Sequence, residues 1–140
     1  MQTVNFEEEL EKILARDPRY AREAYQFVRE ALDHTQKMLP RPLKDEVRHV
    51  SGPQLLDGAR AYALQQYGPM ALTVLHEWGL RRCEDLGEIV FNMIEVALLA
   101  KTDQDTRADF AGRYDFEEAF RKPFLPTGQP AAPPSQLKTF

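Results

Sequence analysis

The side chains of this 140-residue chain that could do chemistry are few and scattered. Its three histidines, His34, His49 and His76, never stand three or four residues apart, so no helical pair is written to hold a metal ion. Glu30 and His34 have i,i+4 spacing, which reads as a contact on a helix surface; a metal centre would need further ligands that the local sequence does not supply. Cys83 is the only cysteine, so it forms no intramolecular disulfide. It would become a nucleophile only with a histidine folded against it, and the plainer reading is an inert thiol. The glycines are too dispersed, Gly52 and Gly58 being the closest pair, for a phosphate loop or a dinucleotide turn, and Ser51 lies in no nucleophile elbow. These residues call for no cofactor and no metal, and they favour an interaction protein over an enzyme.

The most informative cluster is Asp85, Glu88, Asn92 and Glu95, set at steps of three, four and three within a segment otherwise nearly apolar all round. On a helix these four make one narrow polar stripe. It is either the wet edge of a central helix or the lining of a cleft, where like charges could shift a pKa or hold a cation. Dimetal carboxylate chemistry would require Glu-x-x-His pairs, and the chain has none. Trp78 is the single tryptophan, read as core packing or as an aromatic anchor for a partner. Arg81 and Arg82 stand at the entry to the striped segment, where they could touch phosphate, yet Glu84, Asp85 and Glu88 beside them would repel it.

Helix signals position these residues. Asn5 with Glu8 reads as a capping box before Phe6, Leu10, Ile13 and Leu14, giving a short helix over about 6–15. Asp17-Pro18 reads as the start of a second helix over about 18–38, with Ala24, Phe27, Val28 and Ala31 on its apolar face. Pro40 and Pro42 end it, and a short strand is an option over 43–50. Ser51 and Gln54 form a second capping box for a third helix, stopped by Gly68. Pro69 starts a fourth, which ends at Gly79. The striped helix spans about 84–98. Leu98–Thr102 and Arg107–Ala111 flank a polar turn and read as a small β-hairpin, and Tyr114–Arg121 as a last helical segment.

Lys and Arg total 18 against 22 Asp and Glu, a formal net charge of -4. Residues 51–100 carry three basic and six acidic groups. A protein that grips nucleic acid through phosphates needs a concentrated positive face, and the most acidic part lies where the central helix is expected. No apolar run approaches the roughly 18 residues that span a bilayer, and the opening residues lack a basic leader. The expectation is a cytoplasmic protein without a membrane segment. From Pro123 onward five of the ten prolines crowd into a stretch that cannot bury enough surface to order itself. That predicts a disordered tail over 123–140 after a single domain over 1–122, with Leu137 and Phe140 as a candidate docking motif on a stiff tether.

The order short strand, three helices, hairpin resembles a winged helix, with the striped helix in the recognition position. His49-Val50-Ser51-Gly52, Tyr67-Gly68-Pro69-Met70-Ala71, Trp78-Gly79, Asp85–Asn92, Leu98-Leu99-Ala100-Lys101 and Tyr114–Phe120, together with Asp17-Pro18-Arg19-Tyr20, are also similar to an uncharacterised bacterial family of conserved hypothetical proteins described from verrucomicrobia and planctomycetes. That likeness covers about residues 17–121 and implies no activity, cofactor or catalytic residue. The expectation is a mainly α domain with a winged-helix-like trihelical unit and a small hairpin. It would serve as a non-catalytic protein-interaction or adaptor module for an unidentified partner, through Asp85, Glu88, Asn92, Glu95, Trp78, Leu137 and Phe140. The alternative is a DNA-binding regulator using Arg81, Arg82, Lys101 and Arg107.

Overall fold

A computed structural model of the protein describes residues 5–39, 50–99 and 106–125. It is mainly helical. The Asn5 side chain accepts the Glu8 N–H at 3.1 Å and opens α1 (Phe6–Arg16), with Glu7, Glu8 and Glu9 in a first turn whose dipole favours negative charge. α1 buries Leu10 and Ile13. The second helix, α2 (Arg22–Met38), begins four residues later than the Asp17-Pro18 signal predicts. The reason is local: the Asp17 carboxylate accepts from the backbone and side chain of Arg19, closing a turn in place of capping a helix.

Ser51 and Gln54 cap each other reciprocally, at 3.2 and 2.9 Å, and start α3 (Gly52–Tyr67). α3 packs against α2, with Gly58 set against Thr35 so closely that a Cβ on Gly58 would overlap the Thr35 hydroxyl. A 3-10 turn at Gly68–Met70 leads directly into α4 (Ala71–Glu77). Beyond it, Gly79 sits at φ 92°, and a Cβ there would meet the Arg19 carbonyl oxygen at 2.5 Å. Only glycine lets the chain turn back so close to the α1–α2 connection.

α5 (Cys83–Glu95) is largely buried, as its composition suggests, although α3 packs against more elements than it does. α5 packs against α1, α2 and α3 and against a 3-10 turn at Arg107–Phe110, and Glu95 is its one exposed residue. Ile89 and Met93 from α5 join Tyr25, Phe27, Leu56 and Phe120 in one continuous core. Each such side chain contributes roughly 1.5–3 kcal/mol through burial.

Two expectations are corrected. The hairpin is not supported: its second arm is the 3-10 turn Arg107–Phe110, closed by the Thr106 N–H on the Asp109 carboxylate at 3.0 Å, and no strand occurs among the described residues. Phe110 alone is inserted, edge-on to Phe91 and over Gly87, so one anchor does the work that an alternating pattern would have done. A wing therefore has no counterpart among the described residues, and α5 lies inside the domain and presents no open face to a groove. The last segment is helical as expected, of π type at Glu117–Arg121, and a 3-10 turn follows at Lys122–Phe124. The strand option at 43–49, the first arm of the hairpin beyond Leu99, and the tail from 126, with Leu137 and Phe140, lie outside the described residues. No helix among the described residues is long and apolar enough to cross a membrane.

Candidate functional site

Three members of the α5 stripe meet the α1–α2 connection and the fourth meets the last residue of α1, in antiparallel order. Asp85 accepts the Tyr20 hydroxyl at 2.7 Å, and its second oxygen accepts the backbone N–H groups of Arg81 and Arg82, at 2.9 and 3.1 Å. Glu88 stands between two guanidinium groups, Arg19 at 3.3 Å and Arg107 at 2.7 Å. The Asn92 amide uses its two hydrogens on Asp17 Oδ2, at 2.9 Å, and on the Tyr25 hydroxyl, at 3.0 Å. Glu95 pairs with Arg16 at 3.0 Å. Thus 85, 88, 92 and 95 face 20, 19, 17 and 16, and the stripe is the strip along which the connection is laid down.

The members differ in worth. Arg16 and Glu95 are about half exposed, and water screens their attraction to a few tenths of a kcal/mol. Asp17 is only 14% exposed. Its forked bonds from Arg19, with Asn92 adding a further donor, hold the carboxyl well below the usual carboxylate range, although burial opposes this. Burial first, and the Asp85 carboxylate second, push the Tyr20 phenol far up, so it stays a neutral donor. Buried Asn92 is the junction on which the pattern closes, because one amide hydrogen adds to the Arg19 donors on Asp17 and the other serves the buried Tyr25 hydroxyl.

The other sequence candidates are placed as follows. Arg81 and Arg82 have exposed side chains ahead of α5, beside the Asp85 carboxylate. Arg107 is bound to Glu88 and lies over the Phe91 ring at 5.0 Å, while Lys101 lies outside the described residues. Cys83 is buried and donates its thiol to the Tyr114 carbonyl at 3.3 Å, and burial pushes its pKa up, which disfavours the thiolate that a nucleophile needs. Among the described residues no group of three or more His, Cys, Asp or Glu could hold a metal ion.

Trp78 belongs to a second constellation that the sequence pattern conceals. Buried Phe27 on α2 is surrounded by Tyr62, Tyr67 and Trp78, with ring centroids 5.9, 6.3 and 6.0 Å away. Tyr67 and Trp78 stand at 84° to each other, 5.7 Å apart. His34 continues the row against Tyr62 at 5.3 Å. All four outer rings are half-buried. The Tyr62 hydroxyl donates to Glu30 at 2.9 Å, and burial together with that carboxylate pushes its pKa up to about 12. The hydroxyl of Tyr67 and the indole N–H of Trp78 have no hydrogen-bond partner among the described residues. The backbone carbonyl of Trp78, by contrast, accepts the Ala21 N–H at 3.1 Å, which ties this edge to the α1–α2 connection. Sequence reasoning singled out Trp78 and saw Phe27 only as an apolar-face position; the aromatic residues Tyr67 and Trp78 at the ends of two successive helices were the available signal.

Comparison of the chain with protein-family models, with curated proteins and with solved structures finds no match.

Proposed function

We propose that this chain is a protein-interaction module whose docking surface is the aromatic edge of Trp78, Tyr67, Tyr62 and His34. The observation that carries this reading is the pair of half-buried rings, Tyr67 and Trp78, set edge to face, whose hydroxyl and indole N–H have no partner among the described residues. Large rings with a polar tip contribute the most contact area for the least lost side-chain freedom, which is why such residues dominate binding hot spots. The acidic stripe is a poor candidate beside it, since binding a partner there would first require breaking contacts that hold α1 and α2 onto α5. A bacterial adaptor role and the candidate tail residues Leu137 and Phe140 belong to the same proposal. The test is affinity capture with the full chain against Trp78→Ala and Tyr67→Ala, with Glu95→Gln as a matched surface control. Partners lost from the two aromatic variants and kept by the control support the reading; equal recovery from all four baits removes it.

A further inference from the structure

We propose that the cavity where the start of α1, the middle of α2 and the end of α5 meet is a binding site for a small apolar monocarboxylate. Arg29 holds the carboxylate, and Phe6, Met93, Ala97, Leu98 and Leu99 enclose the hydrocarbon body. The site is separate from the aromatic edge and does not depend on the function proposed above.

The cavity sets the size and polarity of the ligand. Its volume is about 220 Å³, and Arg29 is the one charged residue that lines it. Met93 is buried and Ala97 exposed, so the space runs from the core to the surface. An apolar cavity of about 150 Å³ admits benzene, while drug-sized ligands occupy roughly 300 Å³ or more. A single ring or a short alkyl chain is the body that fits between those bounds.

Arg29 sets the charge. Its guanidinium lies over the Phe6 ring at 4.1 Å and has no hydrogen bond or ion pair with any described residue. Arg16, Arg19, Arg22 and Arg107, by contrast, each have a carboxylate partner. The acidic neighbours of Arg29 on α2 are engaged elsewhere: Glu30 accepts the Tyr62 hydroxyl at 2.9 Å, and Asp33 pairs with Lys37 at 3.0 Å. A guanidinium resting on a ring keeps its N–H groups around its rim, where a carboxylate can take two of them at once. Arg29 is exposed, so a carboxylate bound there stays in contact with water and escapes the cost of burying a charge.

The backbone supplies an independent observation. After α5 the Ala97 and Leu98 N–H groups donate to the carbonyls of Ile94 and Met93, at 3.0 and 2.8 Å, which is a Schellman ending. It places Ala97 at φ 65°, where glycine sits at least cost, and among the described residues Ala97 is the one non-glycine with a positive φ. Strain of this kind persists where it serves a site. Ala97 borders the cavity, and its methyl group adds apolar wall that glycine would lack.

The test uses the full chain with isotope-labelled methionine methyl groups, the Met93 signal being assigned through Met93→Leu. Benzoate and hexanoate are titrated in turn, to separate a ring from a chain, with benzyl alcohol as the uncharged match. The expected result is a saturable shift of the Met93 signal with at least one of the acids. In Arg29→Gln that acid should bind about tenfold more weakly, while benzyl alcohol binds both chains alike. Ala97→Gly should unfold at a higher denaturant concentration and yet bind the acid less tightly, a combination that a purely structural alanine would not give. No saturable movement of Met93 with either acid, equal affinity in Arg29→Gln, or wild-type affinity in Ala97→Gly each overturns the inference.

Discussion

Along α5, Asp85, Glu88 and Asn92 are each bound to the α1–α2 connection, and their hydrogen-bonding capacity is largely met within the chain. At the aromatic edge the rings are equally well packed on Phe27, yet Tyr67 and Trp78 keep polar tips that nothing among the described residues engages. Both regions join polar groups to an apolar helix face, and both looked like candidate sites. The difference lies in satisfaction. A polar group with its partners in place stabilises the fold and has little left to offer a ligand, whereas an unmet group beside a large ring gains from binding.

This contrast can be broken first where the two regions touch. Gly79 follows Trp78 and abuts the Arg19 carbonyl, so Gly79→Ala strains the backbone and pushes against the connection. A loss of about 3 kcal/mol is expected in denaturant unfolding, the largest effect of this set. Asn92→Ala takes one donor from Asp17, which keeps its bonds from Arg19, and removes the donor to the Tyr25 hydroxyl, with an expected loss of about 2 kcal/mol read as a lower midpoint with an unchanged slope.

Acid sharpens the comparison further. The Asp17 carboxyl titrates lower in the folded chain than in the unfolded one, so its contribution is fully present above about pH 4 and is lost as pH falls toward the folded value. A pH series of thermal melts should show the wild type losing on the order of 1–2 kcal/mol more than Asp17→Asn below that point. At the far end, Arg16→Ala should change stability by less than about 0.5 kcal/mol, because its pair with Glu95 is open to water.

How much of this was legible in the sequence differs between residues. The 3-4-3 spacing of Asp85, Glu88, Asn92 and Glu95 gave the stripe and the apolar remainder gave the burial of α5, because both are periodic features of one segment. What faces the stripe was hidden: Asn92 meets Asp17 across 75 positions, and no local pattern encodes that register. Asp17 itself misled, since an aspartate before proline is an ordinary helix start, and here its carboxylate turned to Arg19 and Asn92 and delayed α2 to Arg22. The polar run before Arg107 carried hairpin chemistry, but Thr106 and Asp109 close a local turn and Phe110 supplies one buried anchor, where a strand would need an alternating face. The aromatic edge was half visible. Trp78 stood out as a single residue, while its grouping with Tyr62 and Tyr67 depends on how α3 and α4 are laid against Phe27.

The central claim is that the acidic stripe serves the chain's own fold. A double-mutant cycle between Asp17→Ala and Asn92→Ala, read in denaturant unfolding of the full chain, tests it most directly. Strongly non-additive losses are expected, with a coupling of about 1 kcal/mol or more. Additive losses would show that the two side chains act independently, and would return the stripe to the surface as a site awaiting a ligand.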